Sequence, residues 1–184
     1  MSIFKKAKIL VTGGTGMIGV SLTNLLIDLQ AEVTVVSLDD VNPFGDKVFF
    51  VKKDLRNLEN CLELCSKKDY VFHLAAESRI QPAILNPIEA VTKNCVGTCT
   101  VLQCAREAGV KKVIYSSTSS GYGFNEPPNH ENQPDDCLNP YSVSKVAGEK
   151  LCKMYNDLFG LKTVIFRYFN VYGERSPVRG QYAP

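Results

Sequence analysis

No apolar run in the chain approaches the ~20 residues that a bilayer crossing requires, so a membrane span is not expected. Excess charge is also scarce: 21 Lys and Arg against 19 Asp and Glu leave a formal net charge of +2. The basic residues fall in separated pairs (Lys5-Lys6, Lys52-Lys53, Lys67-Lys68, Lys111-Lys112) and form no stripe, so nucleic acid is not an expected partner. There are two histidines, His73 and His130, neither at metal-site spacing, and no C-x-x-C. Seven cysteines (Cys61, Cys65, Cys95, Cys99, Cys104, Cys137, Cys152) make an odd number. Two pairs are spaced i, i+4, a spacing that a metal site on one helix would allow. Reduced thiols packed as small hydrophobes are the simpler expectation, and no metal is expected. Residues 1–8 lead straight into an apolar run, which leaves no room for a signal peptide, so the expected location is cytoplasmic.

What remains is ordinary. At 184 residues, 45% hydrophobic and 22% charged, the chain suits one sizeable core that buries roughly 70% of its unfolded surface.

The apolar pattern alternates between two periods. Short runs at 7–11, 32–36, 48–51, 70–75, 113–116 and 163–167 read as strands, several of them rich in β-branched residues. Between them lie helical stripes: Ile18, Leu22, Leu25, Leu26 and Leu29; a polar helix at 58–65; a long stripe that starts after Pro87 and closes on Gly109; and 140–159, which closes on Gly160. Strands alternating with helices imply right-handed crossovers and an α/β doubly wound parallel sheet of Rossmann type, covered on both faces, in the order 3-2-1-4-5-6. Residues 124–139 read as a polar loop. The domain expected is 1–167; residues 168–184 have no strong apolar period and read as the start of a substrate-binding region in a truncated product or fragment.

Gly13, Gly16 and Gly19 give G-x-x-G-x-x-G spacing between a predicted strand and a predicted helix. The first glycine permits a tight turn, the second lets backbone N–H groups reach a pyrophosphate, and the third lets the helix pack on the sheet. A carboxylate about 20 residues further on should grip the adenosine ribose. Ser37 ends the second strand, and Asp39 and Asp40 follow; Asp39 enters the candidate set. No arginine in this turn offers to take a 2′-phosphate, which favours NAD over NADP. Asp54 suits either an adenine contact or a helix N-cap. Ser116-Ser117-Thr118 ends the fifth strand at the carboxyl edge, where ligands of such sheets bind. Tyr141 and Lys145 stand at i and i+4 on one helical face. A lysine ammonium there lowers the phenol's affinity for its proton, and so suits Tyr141 to acid/base work. Alone, Y-x-x-x-K would be a surface tyrosine and a solvated lysine; beside a dinucleotide cradle it reads as an active site. His73 is expected to be structural, and Asn94 either bonds backbone near the cofactor or faces water.

Together these segments resemble the extended short-chain dehydrogenase/reductase family, in its nucleotide-sugar epimerase/dehydratase branch. The resemblance rests on 12–19, His73-Leu74-Ala75-Ala76, 115–123, Tyr141 to Lys145, and Arg167-Tyr168-Phe169-Asn170-Val171-Tyr172-Gly173. It implies that Tyr141 is the acid/base, that Lys145 bonds the nicotinamide ribose, and that Thr118 assists Tyr141. It implies Gly13, Gly16, Met17 and Ile18 at the pyrophosphate, with Gly19 in the same turn, and Asp54 and Leu55 at adenine. Leu74, Ala75, Ala76, Asn94 and Phe169 would line the rest of the NAD channel, and Asn170 would hold the sugar nucleotide together with Thr118 and Tyr141. Ser37 departs from the family by replacing the usual aspartate. Dehydratases of the branch place Asp-Glu after the threonine, where this chain has Ser119 and Ser120, and the reductase-type cysteine is absent there. What remains is C4 epimerisation of a nucleotide sugar of the UDP-glucose/UDP-galactose type through a 4-keto intermediate, with NAD retained and a homodimer possible. The alternatives are a silent NAD-binding module and another dehydratase or reductase of the branch.

Overall fold

The computed structural model describes residues 2–173 and 176, so most of the region expected at 168–184 lies outside the described residues. Six strands, β1 (Lys8–Thr12), β2 (Glu32–Ser37), β3 (Phe49–Lys52), β4 (Tyr70–His73), β5 (Lys112–Thr118) and β6 (Thr163–Tyr168), pair in parallel in the order β3-β2-β1-β4-β5-β6. This is the order the alternating pattern predicts. The reversal between β1 and β4 opens a crevice at their carboxyl ends.

Alternation along each strand sorts the core into two layers. On one face Leu10, Val36, Val71, Val113 and Tyr115 pack against α2 (Leu58–Cys65), α5 (Gly97–Glu107) and α6 (Pro140–Phe159). On the other, Ile9, Val11, Val33 and Val35 pack against Val20 and Leu26 of α1 (Met17–Asp28). α1 covers β1 and β2 on that side, while Phe166 of β6 remains 47% exposed.

The helix after Pro87 starts as predicted but is not uniform. α4 (Pro87–Val91) continues through a π-helical turn (Thr92–Val96) into α5. A short α3 (Ile80–Leu85) precedes it, which the apolar period did not reveal because six residues are less than two turns. α6 begins with a capping box: Asn139 accepts from the Ser142 N–H, and the Ser142 hydroxyl reaches the Asn139 backbone. It ends on Gly160 at φ 69°, the left-handed conformation that stops a helix. Gly148 lets α6 approach β5 closely, since a Cβ there would lie 2.2 Å from the Tyr115 hydroxyl. All seven cysteines are free thiols, and among the described residues no His, Cys, Asp and Glu are gathered as metal ligands.

Candidate active site

The glycine turn divides its labour between fold and ligand. Gly13 has φ 66°, and a Cβ there would meet the Ala75 backbone nitrogen at 2.7 Å. At Gly19 a Cβ would meet the Gly13 oxygen at 2.4 Å, so the close strand–helix approach depends on it. Gly16 differs: its φ is −68°, and the nearest atom to an added Cβ is the Gly13 oxygen at 3.4 Å. The fold would tolerate a small side chain at Gly16, and its absence keeps the helix end open. No side chain caps α1 and no acidic residue occupies its first turn, so the N–H groups of Met17, Ile18 and Gly19 face a groove ready for an anion. This cradle fits a dinucleotide pyrophosphate.

A cavity of about 280 Å³ runs from the turn over the ends of β2 and β3. Gly13, Gly16, Ser37, Asp39, Asp54, Leu55, Leu74, Ala75 and Ala76 line it, so the residues expected at ribose and adenine, Asp39, Asp54 and Leu55, share one cavity with the glycine turn and with part of the expected NAD channel. Thr15 donates to Asp39 at 2.5 Å and lies 2.7 Å from the Ser37 hydroxyl, which donates to the same carboxylate at 3.2 Å. Two hydroxyls thus orient Asp39 towards the cavity, while Asp40 pairs with Lys52. Asp54 is not the N-cap of α2, which is Asn57. Instead Arg56 grips it at 2.6 and 3.1 Å, and its carboxyl is held below the usual range chiefly by that hydrogen bond. Lys53 and Arg56 also reach this wall from beyond the end of β3, and Lys93 from the π turn, all three distant in sequence from the β2 turn. Lys53 pairs with Glu63, and Arg56 with Asp54 and Glu89.

The groove opens past Leu74 and Ala76 into a second cavity of about 800 Å³. Gly16, Met17, Ile18, Gly19, Thr118, Ser119, Ser120, Tyr141, Lys145, Phe169 and Asn170 all line it. Among the described residues no carboxylate does. Thr118 caps the 3₁₀ turn Ser119–Tyr122, its oxygen accepting from the Ser120 N–H at 3.1 Å, which leaves its own proton available. Lys145 is 3% exposed, with Nζ 4.3 Å from the Tyr115 ring centroid. Burial lowers its pKa from 10.5 to about 8, against the opposing pull of neighbouring thiols and Glu149. The ammonium therefore persists at neutral pH.

Two polar residues lie behind the wall. Asn94, at the centre of the π turn, is 1% exposed; it accepts from the Glu77 N–H at 2.8 Å and donates to the Glu77 carbonyl and the Ser144 hydroxyl. It bonds the backbone of residue 77 rather than facing water, and it lines neither cavity among the described residues. His73 is interior as expected, bonded to Thr12 at 2.7 Å and Thr98 at 3.0 Å; burial drives its pKa down to about 3 and keeps it neutral.

A Rossmann sheet with a glycine cradle, a long groove and a Tyr-Lys pair defines a nicotinamide-dependent enzyme fold. The chain belongs to the NAD dependent epimerase/dehydratase family, whose model it matches over residues 9–183. The UDP-glucose 4-epimerase of Mycolicibacterium smegmatis is 35% identical over 187 residues, covering 94% of this chain and 58% of that protein. UDP-glucose 4-epimerase of Thermotoga maritima, solved with UDP-glucose, superposes with a TM-score of 0.89 at 31% identity over 95% of this chain and 59% of that one. An NAD-dependent NDP-hexosamine 5,6-dehydratase, TunA, matches with a TM-score of 0.83 at 31% identity, over 91% and 56%. The chain thus spans somewhat under 60% of the length of these relatives.

Proposed function

We propose that this chain forms the cofactor-binding and catalytic part of an NAD-dependent nucleotide-sugar 4-epimerase acting on a UDP-sugar. One observation carries the reading: Tyr141, Lys145 and Thr118 share a single cavity with the glycine cradle, and Ser119 and Ser120 stand there in place of carboxylates. A dehydratase needs an acid and a base to act at adjacent carbons, and among the described residues this wall offers no carboxylate pair. In the proposed roles Gly13, Gly16, Met17, Ile18 and Gly19 hold the pyrophosphate, Asp39 the ribose, and Asp54 and Leu55 the adenine. Leu74, Ala75 and Ala76 line the channel between the two ends and Phe169 borders the nicotinamide end, with Asn94 fixing the 77 backbone beside the channel. Asn170 meets the sugar nucleotide.

NAD, when bound, supplies the hydride acceptor and donor for C4. Tyr141 would take the C4 hydroxyl proton as phenolate and return it to the same oxygen once the 4-keto sugar has turned to present its other face to the hydride donor. The Lys145 charge favours that phenolate, and Thr118 donates to the substrate oxygen. The reading places the protein in the cytoplasm, consistent with the absence, among the described residues, of any helix long and apolar enough to cross a membrane. It also makes the protein self-associating, supported by exposed Leu85, Ile88 and Val96 along α3 to α5.

A version extended to the length of its relatives should interconvert the C4 epimers of a UDP-sugar with no net consumption of NAD. Tyr141→Phe should lower turnover by several orders of magnitude while sparing NAD affinity. Release of a stable 4-keto-6-deoxy sugar would overturn the epimerase reading.

A further inference from the structure

A cluster of charge lies buried beneath the active site and takes no part in the chemistry above. Glu149 of α6 is 8% exposed, one helical turn beyond Lys145 and two beyond Tyr141. Three donors occupy its carboxylate. Arg167 of β6 binds it through Nε at 2.9 and 3.1 Å and through Nη2 at 2.6 Å, and the Ser117 hydroxyl donates from β5. The same Nη2 reaches Asp135 at 2.6 Å, in the polar loop before α6, and the guanidinium lies 4.8 Å over the Tyr122 ring. Both strand residues are neighbours of site residues: Ser117 precedes Thr118, and Arg167 precedes Tyr168, Phe169 and Asn170.

We infer that Glu149, anchored by Arg167 and Ser117, is a positioning residue that acts as the internal counter-charge of Lys145 and locks the Tyr141 helix onto the ends of β5 and β6. A buried carboxylate with three donors is a fixed point, and the i, i+4 relation places it on the Lys145 face of α6. Of the other groups that face Lys145, four are neutral, while Arg167 of β6, the cation bound to Glu149, offsets part of the carboxylate's charge. From β4 comes His73, held neutral by burial, and from β5 the Tyr115 ring, whose phenol is pushed well above its usual range. The π turn supplies Cys95 and α6 supplies Cys152, thiols that burial raises, Cys152 to about 12. Tyr141 lies one turn before Lys145 on the same helix. Glu149 is therefore the anion that opposes the loss of the Lys145 proton on burial. Removing it should discharge the lysine at lower pH, and with it the help given to the Tyr141 phenolate.

The inference rests on the role given to Lys145 above, and the test separates the two. In the 184-residue chain the Lys145 ammonium can be titrated through its Cε–Hε resonance by nuclear magnetic resonance, assigned by loss of the signal in Lys145→Met. Glu149→Gln keeps the shape and one acceptor for Ser117. Its Lys145 midpoint should fall by about one pH unit or more, a roughly tenfold loss of proton affinity. Should Glu149→Gln not fold because Arg167 is left buried without its partner, the double variant Glu149→Gln/Arg167→Met removes the pair together. Because that change removes a cation along with the anion, its reference is Arg167→Met alone, and the Lys145 midpoint must lie lower in the double variant than in that reference. A midpoint unchanged between whichever variant folds and its reference overturns the inference. The reading of Lys145 fails on a different measurement, an NAD affinity of the chain unaltered by Lys145→Met.

Discussion

The glycines of one turn do different work, and a Cβ placed at each separates them. Valine at Gly16 meets nothing nearer than 3.4 Å at its Cβ, and the φ of −68° suits any residue, so the fold should survive. The bound pyrophosphate would meet the side chain instead. Gly16→Val should keep the melting temperature within a few degrees and abolish NAD binding in calorimetric titration. Gly19→Ala, whose Cβ would lie 2.4 Å from the Gly13 oxygen, should lower the melting temperature even without ligand. The same titration should show NAD binding more tightly than NADP. Asp39 would repel a 2′-phosphate, and the three cations on that wall among the described residues, Lys53, Arg56 and Lys93, are already engaged by Glu63, Asp54 and Glu89. Equal affinities would refute this arrangement.

At the scale of elements, α6 carries Tyr141 and Lys145, the proposed acid/base pair, in its first two turns, so its starting point decides where Tyr141 sits. Pro140 at the first helical position and the reciprocal bonds of Asn139 and Ser142 set that start. Asn139→Ala should cost about 1 kcal/mol of stability, measured by urea unfolding. Its effect on turnover in the extended protein should exceed what lost folding explains, because the frayed turn is the one bearing Tyr141. Turnover reduced only in proportion to the unfolded fraction would show that packing against β5, through Gly148 and Tyr115, holds Tyr141 without the cap. The π turn, like α3, is an element that the apolar period did not disclose, because only its backbone pattern departs from the helix on either side and its centre buries the Asn94 amide.

Over the whole molecule, charge burial sets the response to pH. His73 has a folded pKa of about 3 against an ordinary 6.5, so between those values the unfolded chain binds the extra proton. Stability is then fully present above pH 6.5 and declines as the pH falls, with a slope approaching about 1.4 kcal/mol per pH unit. Asp54 and Asp135, whose pKa values are lowered from 3.8, add their losses only below that value. The interval from pH 6 to 4 therefore isolates His73. Urea unfolding across it should steepen for the native chain and flatten for His73→Gln, in which the amide can still meet Thr12 and Thr98; parallel profiles would remove the histidine from the account.

Periodicity was enough to give the six strands, their order and the long helices, because a two-residue or 3.6-residue repeat of burial is written locally. The glycine spacing and the Tyr141–Lys145 interval were legible for the same reason, each lying within one turn or one helix. What the sequence does not write is which strand ends meet. Thr15, Ser37 and Asp39 become one hydrogen-bonded group, and Lys53 and Arg56 join their wall, only because parallel strands bring all carboxyl ends to one edge. Glu149 was an unremarkable helical acid until β5 and β6 delivered Ser117 and Arg167 to it. The orientation of Asp39 by Thr15 while Asp40 pairs with Lys52, the backbone bonds of Asn94 and the burial of Lys145 were likewise tertiary decisions. Each depends on contacts between residues distant in the chain, and desolvation and charge pairing act through space rather than along the sequence.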